Sequence, residues 1–302
     1  MSLPQIANQI NNSKFFVLGG GSNIILPEIF NGVVIHNQLL GIDLVSDTDD
    51  YVLVSANAGE NWDSFVLYTL INGMCGLENL SLIPGTVGAS PIQNIGAYGV
   101  EVKDFIEFVE VFDIKSKQIK IISKDECYFS YRNSMFKTHP NFIVTKVIFR
   151  LLKTPKLNAR YGDLVHKLSE ISNPTPLDLR NAIIQIRSSK LPDPKIIANV
   201  GSFFHNPVVD IAIANSLKDK YPNLPVFVVD DTHSKVSAGW MIDNLGLKGY
   251  RLGNMAVYDK QALVLVNHDS ATKTEVLEFA RVIQDRVWQE YGVVINIEPI
   301  II

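Results

Sequence analysis

The chain has few residues of the kinds that stabilise secreted proteins or anchor proteins in membranes. Its 302 residues include only two cysteines, Cys75 and Cys127, which excludes a disulfide framework and a CxxC metal site. We interpret both as small core residues. No apolar run approaches the roughly 18 residues that span a bilayer. The start, Met1-Ser2-Leu3-Pro4, lacks the basic and apolar regions of a signal peptide. A cytoplasmic location is therefore expected.

The sequence also lacks the charge pattern of nucleic-acid-binding proteins. The formal net charge is −4 and no long basic run occurs, so there is little electrostatic attraction toward phosphate backbones. Two common nucleotide motifs are missing as well. A GxGxxG pattern starting at Gly19 fails because its third glycine would fall on Ile24, and no GxxxxGK segment exists. The sequence thus supports neither a Rossmann site nor a P-loop.

Two glycine-rich loops are the most informative features that are present. Gly19-Gly20-Gly21-Ser22-Asn23 follows Phe15–Leu18, a short apolar run typical of a buried strand. Residues 83–99 contain four glycines and two prolines and almost no charge. Glycine lets backbone N–H groups approach a ligand closely, which is how uncharged loops hold phosphates. The alternative for each loop is a tight connection with no ligand.

These loops and several other motifs, in the same order, resemble the UDP-N-acetylenolpyruvoylglucosamine reductases, flavoenzymes of peptidoglycan precursor synthesis. The resemblance extends from about Leu3 to Glu298 and includes a subclass feature, a tyrosine loop that covers the substrate. It implies an oxidoreductase with bound FAD and with NADPH as electron donor. The other motifs are Tyr131-Arg132-Asn133-Ser134, Tyr161-Gly162-Asp163-Leu164, Ser188-Ser189-Lys190-Leu191-Pro192-Asp193-Pro194 and Gly201-Ser202-Phe203-Phe204-His205-Asn206-Pro207.

The resemblance implies an α+β fold: an FAD-binding region of the vanillyl-alcohol oxidase type, made of two α+β subdomains, plus a smaller α/β substrate-binding domain. We expect the FAD-binding region at 1–190, the substrate-binding domain at 191–292 and a return strand to the FAD-binding region at 293–302. The family has a further strand before the first glycine loop, whereas only fourteen residues precede Phe15 here. We expect the 1–190 region to lack that strand.

Hydrophobic periodicity and capping residues predict several elements directly. They are helices over 62–74, over 177–188 and after Thr272, a hairpin of 106–114 with 118–122, and a strand over 141–152. The helix after Thr272 is the best specified, because Thr272 and Glu275 form a capping box and Gly292 follows its apolar stripe.

Reduction of an enol ether conjugated to a carboxylate needs a hydride, stabilisation of the enolate, and a proton at the neighbouring carbon. Side chains cannot supply hydride, so the protein provides positioning, charge and the proton. The resemblance assigns the catalytic roles to Arg132, Ser202 and Glu298. Arg132 would fork onto the substrate carboxylate, Ser202 would donate the proton, and Glu298 would act as an acid or relay if burial favours its neutral form. The alternatives are a structural ion pair, a turn-forming hydroxyl and an exposed edge-strand carboxylate, respectively.

The resemblance also assigns binding residues. His205 is left out, because it occupies a position where the family tolerates other residues. The substrate-binding candidates are Tyr98, Tyr131, Tyr161, Lys190, Asn206, Lys248 and Gln261. The cofactor-binding candidates are Gly19, Gly20, Gly21, Ser22, Asn23, Pro84, Gly85, Thr86, Gly88, Ala89, Ser90, Asn94, Gly96 and Ala97.

Two other functions compete with the reductase. One keeps the flavin fold and oxidises another alcohol; the catalytic set argues against it, since an alcohol oxidase needs a base to take a proton. The other is a protein that binds a UDP-sugar without turnover. For the reductase we expect small-molecule partners only, no nucleic acid, no metal, no membrane insertion and a monomer.

Overall fold

The computed structural model of the chain describes residues 3–10, 13–160 and 162–302. The chain divides into two compact units, Met1–Gly21 with Asn31–Arg187 and Ser22–Phe30 with Ser188–Ile302. The helices are α1 (Leu3–Ile10), α2 (Trp62–Ile71), α3 (Gly162–Ser169), α4 (Pro176–Lys190), α5 (Ile211–Lys220), α6 (Ala238–Asn244) and α7 (Lys273–Tyr291). The strands are β1 (Phe15–Leu18), β2 (Ile24–Ile25), β3 (Val33–His36), β4 (Ile42–Asp47), β5 (Tyr51–Asn57), β6 (Gly96–Ala97), β7 (Val100–Glu101), β8 (Ile106–Asp113), β9 (Gln118–Ser123), β10 (Phe142–Leu152), β11 (Ala198–Ser202), β12 (Val208–Asp210), β13 (Val226–Val228), β14 (His233–Val236), β15 (Arg251–Leu252), β16 (Met255–Val257), β17 (Val264–Asn267) and β18 (Ile300–Ile301).

The first unit is organised around a five-stranded antiparallel sheet in the order β4-β5-β10-β8-β9. The predicted hairpin is confirmed, since β8 pairs with β9 over Phe108–Asp113, and the strand predicted over 141–152 is β10. The parallel pair β1 and β3 lies in the same unit. Apolar residues of β5, β8 and β10 form its main core together with α2.

Helix α2 packs its aromatic face on this sheet. The Phe65 ring centroid lies 5.0 Å from that of Phe149 on β10, and the Trp62 centroid lies 6.1 Å from the same ring. The helix starts at Trp62 because the Asn61 side chain accepts a hydrogen bond from the backbone N–H of Ser64 at 3.0 Å. It ends earlier than the predicted Met74, since Gly73 adopts a left-handed conformation with φ +74°.

The second unit contains a four-stranded antiparallel sheet, β11-β17-β16-β15, and a three-stranded sheet, β12-β14-β13. Its core combines buried residues of α5, α6 and α7 with those of the strands. The predicted capping box at the start of α7 is present. The Thr272 hydroxyl accepts a hydrogen bond from the Glu275 N–H, and the Glu275 carboxylate accepts one from the Thr272 N–H. Gly292 closes the helix at φ +63°, as predicted.

The expectation of a continuous strand over 293–302 is wrong. Only Ile300–Ile301 forms a strand, parallel to Ile24–Ile25, and Ile297 makes one isolated bridge to Phe204. Pro299 interrupts the ladder because it has no N–H to donate. Val293 and Ile295 are buried around an exposed Val294, so packing alone accounts for the alternation in this segment.

The cysteines lie in the core as interpreted from the sequence, since both are buried and free. Among the described residues, no helix is both long and apolar enough to cross a membrane.

Candidate active site

The two glycine loops lie against each other in the first unit. A Cβ atom on Gly20 would come within 3.0 Å of the Gly85 Cα, and one on Gly19 within 2.7 Å of the Thr86 hydroxyl oxygen. A side chain at Gly20 would require the loops to shift by a few tenths of an ångström, and one at Gly19 would displace the Thr86 hydroxyl. The predicted cofactor residues 19–20 and 85–86 are therefore brought together, and glycine allows this close approach.

Backbone hydrogen bonds attach the second glycine loop to the end of β5 and the start of α2. Gly88 N–H donates to Ala58 O at 2.9 Å, and Val87 N–H donates to Glu60 O at 2.9 Å. Trp62 N–H donates to Gly85 O at 3.1 Å. These bonds hold the loop in one conformation on a rigid sheet, as a preformed ligand site requires.

Asn94 organises the interior of the same loop. Its side-chain N–H₂ donates to Glu101 Oε2 at 2.9 Å and to Ser130 O at 3.0 Å, and its Oδ1 accepts from Lys103 N–H at 3.1 Å. The residue is fully buried. The observed bonds of Asn94 are to the loop scaffold, and its predicted contact with a cofactor stays a prediction.

A carboxylate on α2 anchors the segment that leads into the loop. Asp63 forms a bidentate ion pair with Arg180 on α4, with N···O distances of 2.7 and 2.8 Å, and accepts from Leu82 N–H at 2.5 Å. Burial raises the pKa of Asp63, but the bonds from Arg180 and Leu82 outweigh it and lower the pKa overall. Asp63 thus remains ionised and ties α4, α2 and the loop together.

Arg187, about two turns after Arg180 on α4, is a functional candidate that the sequence analysis missed. Its Nε atom is shielded from solvent and has no hydrogen-bond partner within residues 3–10, 13–160 and 162–302. Burial lowers the pKa of Arg187, whereas the nearby Tyr98 and Asp63 raise it. A buried donor without an acceptor is costly, so this atom fits a polar or anionic ligand group. Together with the glycine cradle it makes the first unit suited to FAD.

Arg132 lies beside the second glycine loop. Its guanidinium donates to Gly96 O at 2.7 Å and to Asn94 O at 3.5 Å, and it lies 5.3 Å from the centre of the Tyr131 ring. Its backbone is left-handed, with φ +51°. Arg132 is therefore held by loop carbonyls next to Tyr131, and its predicted contact with a substrate carboxylate stays a prediction. Tyr98, in the same loop at φ +49°, packs partly against the cluster of α3 and α4.

The loop tolerates no side chain at Gly88, which gives a testable prediction. A Cβ there would lie 2.4 Å from the Ala58 Cβ and 3.0 Å from the Ala58 Cα. We expect Gly88→Ala to destabilise the protein by about 1–3 kcal/mol through overpacking and to lower the flavin content, measured by thermal unfolding and by the ratio of flavin to protein absorbance. Gly162→Ala is the matched control, because a Cβ at Gly162 meets nothing within 4 Å. Normal flavin content and stability in Gly88→Ala would contradict the packing argument.

In the second unit, Ser202 and Glu298 lie at neighbouring places on paired backbones. Ser202 ends β11, is exposed and follows Gly201, whose φ is +73°. Glu298 N–H donates to the carbonyl of Phe203, the residue after Ser202, at 2.9 Å. The Glu298 side chain is 11% exposed, and its Oε2 lies 3.4 Å from His205 Nδ1. The second unit therefore gathers Ser202, Glu298 and His205.

The other predicted substrate residues of this unit divide into two groups. Asn206 and Gln261 lie near the start of α6, since Asn206 Oδ1 accepts from Ala238 N–H at 2.9 Å and a Cβ on Gly239 would lie 3.9 Å from Gln261 Oε1. Lys248 forms an ion pair with Asp243 at 2.9 Å, and Lys190 ends α4. Tyr161 lies outside the described residues, and Gly162 after it begins α3 instead of a loop.

A cavity of about 200 Å³ lies next to β11 on the second unit, and no predicted site residue lines it. Its walls are mostly apolar. It is lined by Ile24, Ile25, Leu26, Ala198, Asn199, Val200, Phe203, Met255, Leu265, Asn267, Ala271, Lys273 and Val276.

Comparison with known protein families gives two matches along the chain. Residues 5–121 match the FAD binding domain, and residues 193–302 match the C-terminal domain of UDP-N-acetylenolpyruvoylglucosamine reductase. The first range contains both glycine loops, and the second contains Ser202 and Glu298.

Individual relatives carry the same name. The UDP-N-acetylenolpyruvoylglucosamine reductase of Polynucleobacter asymbioticus is 45% identical over 98% of this chain and 87% of its own length. That of Chromobacterium violaceum is 48% identical over 94% of this chain and 85% of its own. The crystal structure of UDP-N-acetylenolpyruvylglucosamine reductase from Thermus caldophilus aligns over 99% of this chain and 89% of its own, at 25% identity and a TM-score of 0.67.

Proposed function

Because the chain belongs to the UDP-N-acetylenolpyruvoylglucosamine reductase family, we propose that Arg132, Ser202 and Glu298 are the catalytic residues of that reaction. The protein is an FAD-dependent oxidoreductase of peptidoglycan precursor synthesis. It uses NADPH to reduce the enolpyruvyl group of UDP-N-acetylglucosamine enolpyruvate to the lactyl ether of UDP-N-acetylmuramate. The fold class is likewise the expected one, an FAD-binding domain of the vanillyl-alcohol oxidase type followed by the reductase C-terminal domain. The division into an FAD-binding region at 1–190, a substrate-binding domain at 191–292 and a return segment at 293–302 remains part of the proposal.

The glycine loops would hold the FAD through backbone N–H groups, and Arg187 Nε would donate to one of its polar atoms. Bound FAD supplies the hydride transfer that side chains cannot perform, from NADPH to the substrate. The loops position this group by their close contact and by their hydrogen bonds to β5 and α2. Ser22, Asn23, Pro84, Ala89, Ser90 and Ala97 complete the proposed cofactor set.

Arg132 would bind the substrate carboxylate and stabilise the negative charge that develops there when hydride adds to the distal carbon. A guanidinium offers five N–H donors in a planar fork, so Arg132 can bind the loop carbonyls of Gly96 and Asn94 and a carboxylate together. Because the guanidinium is already oriented, little reorganisation accompanies the reaction. Tyr131 beside it would contact the same substrate group.

Ser202 would donate its proton to the carbon next to the carboxylate. A hydroxyl is a weak acid, but the enolate carbon is basic enough to take its proton when the serine oxygen is held in line with that carbon. The left-handed Gly201 and the end of β11 orient the Ser202 side chain. The serine then needs a proton in return.

Glu298 would supply that proton. The pairing of Phe203 with Glu298 supports this part of the proposal, because the bond from Glu298 N–H to Phe203 O keeps the backbone of Glu298 next to the segment that contains Ser202. The Glu298 side chain is only 11% exposed, so it is largely shielded from bulk water. Glu298 would thus act as acid or relay.

For the diphosphate and uridine we propose Lys190, Lys248, Asn206, Gln261 and Tyr98, and we propose that Tyr161 belongs to the loop that covers the substrate. Asn206 and Gln261 are supported by their common position near the start of α6. We also propose a cytoplasmic monomer with small-molecule partners only; the two free buried thiols are typical of a reducing compartment.

The test of the function separates the two half-reactions without oxygen. We expect NADPH to bleach the flavin absorbance of the purified protein, and UDP-N-acetylglucosamine enolpyruvate to restore it rapidly. If NADPH bleaches the flavin absorbance but this substrate does not restore it, the protein is a flavoenzyme with a different substrate. Failure to retain flavin, with UDP-sugar binding intact, would indicate a binding protein without turnover.

A further inference from the structure

The neighbourhood of Glu298 contains a titratable side chain with no role in the reaction described so far. His205 follows Phe204, and Phe204 forms the isolated bridge with Ile297. His205 N–H donates to Asn296 O at 2.9 Å, and Glu298 N–H donates to Phe203 O at 2.9 Å. The two backbones are therefore fixed on both sides of the bridge. This register puts His205 and Glu298 diagonally opposite each other, one residue away from the bridge on each backbone.

The two side chains lie at ion-pair distance from each other. His205 Nδ1 lies 3.4 Å from Glu298 Oε2, and the side chains are 23% and 11% exposed. The Nδ1 atom itself is shielded from solvent. A small closing movement would let Nδ1 and Oε2 form a hydrogen bond, because an imidazole N–H donates and a carboxyl oxygen accepts.

We infer that His205 is a positioning residue, which orients the Glu298 carboxyl and holds the proton that Glu298 passes on. A carboxyl with a fixed partner has one orientation, whereas a free one samples several rotamers and exchanges its proton with water. His205 does not contact the reacting carbon in this role; it acts through Glu298. The inference rests on the proposed role of Glu298.

The test is a double-mutant cycle on the FAD-loaded enzyme. The rate of flavin reoxidation by UDP-N-acetylglucosamine enolpyruvate is measured after reduction with NADPH, in His205→Leu, Glu298→Gln and the double variant. We expect His205→Leu to slow reoxidation by about 10- to 100-fold, the range for losing a hydrogen bond to an ionisable group. In the Glu298→Gln background the same substitution should cause no further slowing, because its effect passes through Glu298.

A conservative variant separates the hydrogen bond from the packing of the ring. The amide of His205→Asn has both a donor and an acceptor, so it can serve either protonation state of Glu298, and we expect it to restore most of the lost rate. His205→Ala repeats the test if the leucine variant folds poorly. His233→Leu is the matched control, since His233 Nδ1 also lies beside a carboxylate, 3.2 Å from Asp230, but at the start of β14, where the two side chains are 45% and 54% exposed. It should reoxidise like the wild type.

The outcomes distinguish this inference from the function on which it rests. A wild-type rate in His205→Leu, with a slow Glu298→Gln, would overturn the role of His205 and leave that of Glu298 intact. Multiplicative effects in the double variant would show that His205 acts independently of Glu298 and would overturn the inference as well. A wild-type rate in Glu298→Gln would remove the proposed role of Glu298, and the inference with it.

Discussion

Replacing Ser202 with alanine should slow reoxidation of the reduced flavin by the substrate by about 100- to 10,000-fold, the usual contribution of a positioned proton donor. Alanine removes the only proton-bearing group of this side chain, while the backbone at the end of β11 is unchanged. Reduction of the flavin by NADPH should stay largely intact, because that step needs no proton on a substrate carbon. Rapid-mixing absorbance measurements of each half-reaction test this directly.

Ser270→Ala is the matched control for this substitution. Ser270 is also exposed and in the second unit, with its hydroxyl bonded to Asp269, and its removal should change neither half-reaction. Equal losses in both half-reactions of Ser202→Ala would indicate a general disturbance of the site and would refute the proton-donor assignment.

Arg132→Lys should slow the same half-reaction by about 100- to 1,000-fold, comparable to the loss of an oriented donor to a developing oxyanion. Lysine keeps the charge, but its point-like ammonium cannot bond two loop carbonyls and fork onto a carboxylate as the guanidinium does. The rate of flavin reoxidation at saturating substrate measures the effect.

Arg150→Lys controls for a general arginine-to-lysine effect in the first unit. Arg150 lies on the exposed side of β10, with its guanidinium 4.0 Å from the centre of the Tyr51 ring. Its replacement should leave the reoxidation rate unchanged. Turnover like the wild type in Arg132→Lys, with full flavin content, would exclude Arg132 from the mechanism.

Elements with strong local signals follow the sequence closely. Helix α7 begins at its capping box and ends at Gly292, and the hairpin of β8 and β9 pairs as its alternation predicts. The strand predicted over 293–302 does not form, for a physical reason. Alternation of apolar and polar residues indicates which side chains are buried, and Val293 and Ile295 are buried without pairing to a neighbouring strand. Pro299 was the local signal that a continuous strand would not form there.

The sequence predicted some residues of the candidate site and missed others. The motifs single out Arg132, Ser202 and Glu298, because short sequence patterns record which residue types a reaction needs. They do not indicate His205 or Arg187 as partners. His205 meets Glu298 only through the pairing of residues 203–205 with 296–298, more than ninety positions apart in the chain. Arg187 Nε is left without an acceptor among the residues that the structure describes because α4 carries it into a buried environment.

The sequence by itself determined the family and the glycine loops, and it singled out the side chains that we propose as reactive. These depend on local chemistry: glycine for backbone approach, arginine for a carboxylate, and a hydroxyl and a carboxyl for a proton. Only the tertiary structure decided that Gly20 contacts Gly85, that Asp63 ties the loop to Arg180 on α4, and that His205 lies beside Glu298. Such long-range pairings result from packing over the whole chain, and no local pattern encodes the distance between two side chains.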